Sequence, residues 1–213
     1  MRDLYRICLI TALIMALALA TGCGRRVKRA PVDTVDEALD NELKISKLEE
    51  MAREYPEDEN VYFALGNIYY DDASPMEARL NYEKALELNP KFNKARINLA
   101  MLYAETADPD TALSLLAEAL AIDPKDPKAY NNIGMINYSK GNMDGAVKAY
   151  SRSIEIDPDN AESHYNLGLA FAESGLLVEA LREWRVVLEL EPEGELADRT
   201  RVSLERVEKL LAR

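Results

Sequence analysis

Four prolines restrict what this chain can become. Pro90, Pro124, Pro158 and Pro192 follow one another at intervals of 34 residues. An alanine stands twelve residues before each (Ala78, Ala112, Ala146, Ala180), and a small residue twenty-four before (Gly66, Ala100, Gly134, Gly168). Three registers held through four periods require a chain built from copies of one supersecondary unit. Only a repeated packing arrangement asks for the same residue size at the same place every time.

The residues between the markers define the unit. A large apolar residue precedes each small one: Leu65, Leu99, Ile133 and Leu167. Tyr69, Tyr103 and Phe171 follow it, with Asn137 breaking that column, and Tyr82, Leu116, Tyr150 and Trp184 stand four residues after the fixed alanine. Apolar residues three and four apart predict two amphipathic helices per unit. The small residues let the paired backbones approach. Asn89, Asp123, Asp157 and Glu191, each directly before a marker proline, are expected to end the second helix, because that position is pushed out of the α region.

Period, spacing and aromatics together resemble the tetratricopeptide repeat, a helix–turn–helix unit. The repeats are set at 59–92, 93–126, 127–160 and 161–194. Ser153 and Val187 depart from the pattern where Ala85 and Ala119 suggest alanine. The resemblance implies an all-α, right-handed superhelical solenoid. Residues 34–58, whose Pro56 lies 34 before Pro90, fill the second-helix slot of a partial repeat and form an N-terminal cap, although Lys44 replaces the alanine. In that segment Thr34 and Glu37 read as a capping box opening a helix to Tyr55, with Leu39, Leu43, Leu48, Met51 and Tyr55 as its apolar face. Residues 195–213 drop the pattern and read as a closing helix, with Val207, Leu210 and Leu211 toward the stack and Val202 in the small-residue position.

Within the repeats the turn is built in two ways, one in the first two repeats and the other in the last two. Ser74-Pro75 and Asp108-Pro109 place an N-cap residue before a proline at the first helical position. Gly141 and Gly175 instead end the first helix with a residue tolerant of positive φ.

Met1 to Ala20 has the form of an export leader. Arg2 and Arg6 precede an apolar run from Ile7 to Ala20, about 21 Å as a helix, which is short for a hydrocarbon core of about 30 Å. It ends in Leu19-Ala20-Thr21-Gly22-Cys23, which resembles the bacterial lipobox. The resemblance implies a signal peptide at 1–22, acylation of Cys23 with palmitate-type chains, and a basic tether at 23–33 carrying Arg25, Arg26, Lys28 and Arg29. Gly24 after the cysteine implies the outer membrane, facing the periplasm. Two other readings stay open: a cleaved secretory signal with an incidental Cys23, and an uncleaved signal anchor, which the basic residues beside the apolar run would favour.

Composition removes other classes. A net charge of −12 opposes phosphate-backbone binding, so no nucleic acid is expected. Neither is a cofactor, a metal or a small-molecule substrate. The only cysteines are Cys8 and Cys23, so the repeats hold no disulfide, and His164 is the single imidazole. No nucleophile–base pair, phosphate loop or metal spacing appears, so no catalytic residue is assigned.

The expected function is therefore protein binding by an adaptor of the cell envelope. In the resembled family the concave wall comes from positions 2, 5, 6, 9, 12 and 13 of each repeat. Position 6 holds Asn98, Asn132 and Asn166, a possible carboxamide ladder for an extended peptide. Phe63, Tyr70, Tyr138 and Tyr165 are the candidate aromatic anchors. Asn67, Asn98 and Lys128 match three of five positions of the family's carboxylate clamp, with Phe63 and Asn132 at the other two. Envelope lipoproteins of similar build include pilus-secretin pilotins. The rival is a self-associating structural protein.

Overall fold

A computed structural model describes residues 28–32, 40–106 and 108–212. Its helices are α1 (Asn41–Glu54), α2 (Glu59–Asp71), α3 (Pro75–Leu88), α4 (Asn93–Glu105), α5 (Pro109–Ile122), α6 (Pro127–Ser139), α7 (Met143–Ile156), α8 (Ala161–Glu173), α9 (Leu177–Leu190) and α10 (Glu195–Leu211). The first helices α2, α4, α6 and α8 each have 13 residues, and the second helices α3, α5, α7 and α9 each have 14. Equal lengths return every repeat position to the same helical face. The result is an all-α solenoid.

Each second helix stops in the same way. The N–H of Asn89, Asp123, Asp157 and Glu191 donates to the carbonyl four residues back, at 2.9, 2.9, 2.9 and 2.8 Å. The proline that follows has no N–H with which to continue the ladder.

Inside each pair, size is matched to size. The fixed alanines Ala78, Ala112, Ala146 and Ala180 are fully buried. Gly66 faces the Tyr82 ring, Gly134 the Tyr150 ring and Gly168 the Trp184 indole. A Cβ at these glycines would meet the aromatic atoms at 2.5, 2.5 and 2.4 Å. The second repeat, with Leu116 in place of an aromatic, has Ala100 in place of glycine. The four large partners are all within 2 % of fully buried.

The turns show one backbone solution under both chemistries. Gly141 and Gly175 take φ of 74° and 77°, and Ala73, at the same repeat position, takes φ 54°. There Ser74 makes no side-chain cap, while Asp108 accepts from the Thr111 N–H at 3.1 Å. The alanine in the first turn therefore carries a conformation that its Cβ disfavours.

Departures from the pattern have partners too. The Ser153 hydroxyl, fully buried, donates to the Pro127 carbonyl at 2.8 Å. Asn137 donates to the Ile133 carbonyl at 2.8 Å and accepts from Asn142 at 2.7 Å; Asn142 in turn caps the Gly145 N–H. The amide that breaks the aromatic column ties down the turn behind it.

At the N-terminal end the structure corrects the expectation. The helix that ends at Glu54 opens at Asn41, because Asp40 before it is extended (φ −67°, ψ 162°) and accepts from the Leu43 N–H. Thr34, Glu37 and Leu39 lie outside the described residues, as do the leader and Cys23. Leu43 is 50 % exposed, so the apolar contact of α1 narrows to Leu48, Met51 and Tyr55 packed on Val61 and Leu65.

At the other end α10 closes the stack only in part. Ala197, Thr200 and Val207 are buried, but Leu210, Leu211 and Val202 are 51, 50 and 67 % exposed. Val202 holds the place that in each repeat meets the second helix, and none follows α10 among the described residues. The exposure has that cause.

The bend has an inside. α4 packs on α6, α6 on α8 and α8 on α10, whereas no second helix makes comparable contact with the next second helix among the described residues. Elements on the inside of a curve are the closer ones, so the first helices form the inner wall.

Candidate functional site

Two adjoining pockets open along α2, α4 and α6. The first, about 410 Å³, is lined by Asn67, Tyr70, Asp71, Tyr82, Asn98 and Met101. The second, about 490 Å³, is lined by Phe63, Lys94, Ile97, Asn98, Asp123, Asp126, Pro127 and Lys128. Asn98 belongs to both and forms the divide.

Local hydrogen bonds set the divide. Asn67 Oδ1 accepts from the Tyr82 hydroxyl and from Asn98 Nδ2, both at 2.9 Å. Asn67 Nδ2 and Asn98 Oδ1 keep free capacity toward the groove. Burial first, and the charges of Asp71 and Glu105 with it, push the Tyr82 phenol up to about 12. The Tyr70 hydroxyl donates to Glu105, bridging α2 to α4; that bond, with burial, raises the Tyr70 phenol to about 12.

In the second pocket Phe63 packs against Phe92 and Tyr82, with ring centroids 5.0 and 6.1 Å apart. Asp126 is spent on α6, accepting from the Lys128 and Ala129 N–H groups and from Asn93 Nδ2. Lys94 and Lys128, both exposed, have no ion pair among the described residues.

The sequence-derived candidates divide. Asn67, Tyr70 and Asn98 meet in the first pocket, and Phe63, Asn98 and Lys128 in the second. Asn132, Asn166, Tyr138 and Tyr165 line neither. The asparagine column is not a uniform ladder. Asn98 and Asn166 each donate to an asparagine of the preceding repeat, Asn67 at 2.9 Å and Asn131 at 3.3 Å. Asn132 makes no side-chain hydrogen bond among the described residues. Tyr138 is half-buried beside Tyr150 and Leu167. Tyr165 is only 6 % exposed, with Arg199 of α10 4.8 Å over its ring, so it offers no open face to a ligand.

Several residues escape sequence reasoning. Lys94 shares the column of Lys128, and Asp71 follows Tyr70; those columns were the available signal. Asn131, buried, accepts from Ser163 at 3.2 Å, and Ser163 lies 2.8 Å from Ser153. With the Ser153 proton on Pro127, the Ser163 proton serves both neighbours.

A second column had no local signal. Tyr62, Arg96 and Tyr130 reach back to the carbonyls of Pro56, Pro90 and Pro124 at 3.3, 2.6 and 3.4 Å. His164 follows suit, its Nε2 3.0 Å from the Pro158 carbonyl and its Nδ1 2.7 Å from Glu183. The Glu183 hydrogen bond raises the His164 pKa against the opposing effect of burial. The lone imidazole is part of the repeat joint. Among the described residues no group of three or more His, Cys, Asp and Glu could hold a metal ion.

The basic segment before α1 is also engaged. Arg29 pairs with Asp58 at 2.9 Å and with Glu59, and the Ala30 N–H donates to Asp58. Burial would raise both carboxyls, but these hydrogen bonds prevail and hold Asp58 and Glu59 below the usual range. Arg29 is thus paired with carboxylates at the start of the first repeat.

Comparison with known proteins agrees with this geometry. A family described as tetratricopeptide repeat matches residues 74–133, and one described as TPR repeat matches 134–175. No curated protein matches the chain. Among solved structures, the crystal structure of MamA is similar at 25 % identity, covering 72 % of this chain and 90 % of that one, with a TM-score of 0.62. A thermophilic TPR protein of Thermus thermophilus is similar at 19 % identity, covering 78 % and 90 %, with a TM-score of 0.67. YrrB, a TPR protein with an unusual peptide-binding site, is 22 % identical over 80 % of this chain and 88 % of its own, with a TM-score of 0.58.

Proposed function

We propose that this tetratricopeptide-repeat protein is an envelope adaptor that binds a segment of a partner protein in the groove of α2, α4 and α6. The observation that carries the reading is the pair of pockets meeting at Asn98 on the inner wall. Together they give an apolar floor, free amide capacity and unpaired lysines, the mixture that seats a peptide backbone with a few anchoring side chains.

The anchor belongs to the same proposal. It rests on the lipobox-like run into Cys23 and on the short apolar stretch before it. Acyl chains stabilise attachment by about 0.8 kcal/mol per buried CH₂, and two or more hold firmly. From Cys23 to the docked Arg29 an extended chain reaches no more than about 20 Å. A lipidated Cys23 would hold the first repeat beside the membrane surface, with the groove presented to envelope partners such as a pilus or secretion assembly. Self-association has one supporting observation, the exposed Val202, Leu210 and Leu211 of α10.

A photo-crosslinking residue at Met101 tests the groove against one at Val178, which is exposed on α9. The expected result is a heterologous adduct from Met101 and none from Val178. Adducts from Val178 alone, or only to a second copy of the chain, overturn the adaptor reading. Mass spectrometry of the envelope-derived protein tests the anchor: an acylated Cys23 as first residue supports it, and an intact Met1 refutes it.

A further inference from the structure

The groove is electrically polar along its helices. Asp71 and Glu105 fall in the last turns of α2 and α4, and Lys94 and Lys128 in the first turns of α4 and α6. Successive first helices run the same way, so each carries its partial negative charge toward the carboxylate end and its partial positive charge toward the lysine end. At these four residues side chains and backbone reinforce one another, although Asp123 and Asp126 also line the lysine end. The eleven positions separating the two columns span about 16 Å along the axis, or about five extended residues.

The first pocket contains the acceptors. No basic residue lines it. Asn98 Oδ1, the oxygen of Tyr82 and the Asp71 carboxylate all accept, and Asp71 has no hydrogen-bond or ion-pair partner among the described residues. The Tyr70 ring and the Met101 thioether supply apolar surface for an aliphatic stem, and an aromatic face attracts a cation. The second pocket differs: Lys94 and Lys128 there offset Asp123 and Asp126, so its lining has no net negative charge to draw the same group.

We infer that the bound segment carries a lysine or arginine side chain, seated in the Tyr70–Tyr82 pocket against Asp71. The inference rests on the groove reading and adds the partner's chemistry and its register.

The test uses the full-length chain in detergent micelles and phage-displayed random ten-residue peptides. The expected result is enrichment of peptides with a required Lys or Arg. Replacing that residue by norleucine or citrulline should weaken binding about three- to tenfold. Asp71→Asn should weaken the parent peptide by a similar factor and leave the neutral peptide unchanged. Asn98→Arg, which fills the divide, should abolish binding of both. Binding that Asn98→Arg abolishes but that ignores the cation and Asp71 overturns this inference alone. No enrichment, or binding indifferent to Asn98→Arg, overturns the groove reading as well.

Discussion

Gly134→Ala puts the small-residue register to a quantitative test. A Cβ at that position lies 2.5 Å from Tyr150 Cδ1 and Cε1 and 2.9 Å from Cζ. Ordinary carbon contacts need about 3.5–4.0 Å, so the ring must retreat by about 1 Å. It has little room, being 2 % exposed and packed among Ala146, Leu167 and Ala170. Overpacking of this kind costs about 1–3 kcal/mol, and the tightness of the site argues for the upper end. Alanine recovers about 1 kcal/mol of helix propensity. The expected net loss is about 2 kcal/mol, or a fall in melting temperature of about 4–8 °C for a chain this size. Tyr150→Leu alone should cost about 2–3 kcal/mol by leaving a cavity over Gly134. The double variant rebuilds the Ala100–Leu116 pair of the second repeat. It should therefore be more stable than the sum of the singles by about 2 kcal/mol. Denaturant melts followed by far-UV circular dichroism measure all four corners of the cycle. Additivity within about 0.5 kcal/mol, or a Gly134→Ala protein as stable as the parent, would refute the size-matching argument.

Two further outcomes follow from the turns and from the joint at Pro158. Ala73→Gly should stabilise the protein by about 0.5–1 kcal/mol, since relief of the positive φ exceeds the added chain entropy; a loss of stability in the same melts would mean that the turn is not left-handed there. His164, facing Glu183 and near Asp159, has its pKa raised in the folded state. Its contribution is then fully present below the ordinary histidine value of about 6.5 and fades as pH rises through the higher folded value. The stability gap between wild type and His164→Gln should shrink with rising pH over that window. A gap that is flat or widens would contradict the ion pair.

The helical repeat was legible in the residues because a solenoid is nearly one-dimensional: each unit touches only its neighbours, so one packing rule recurs in sequence at one period. Leu65–Gly66 against Tyr82, or Asp157-Pro158 ending α7, depends on residues a few positions or half a repeat apart. Size and proline chemistry suffice to read such features. Tertiary structure alone decided where the polar side chains point. Asn98 and Asn166 turn to the preceding repeat while Asn132 does not, and identical residues at one register cannot announce that difference. Tyr165 was lost to the groove because Arg199, on a helix outside the repeat pattern, lies across it. Arg29 left the basic tether for Asp58 and Glu59, about thirty residues away, where burial makes an unpaired carboxylate costly. Period and size are properties of a residue and its column. The direction of a hydrogen bond belongs to the one neighbour that happens to stand opposite, and only the assembled stack says which that is.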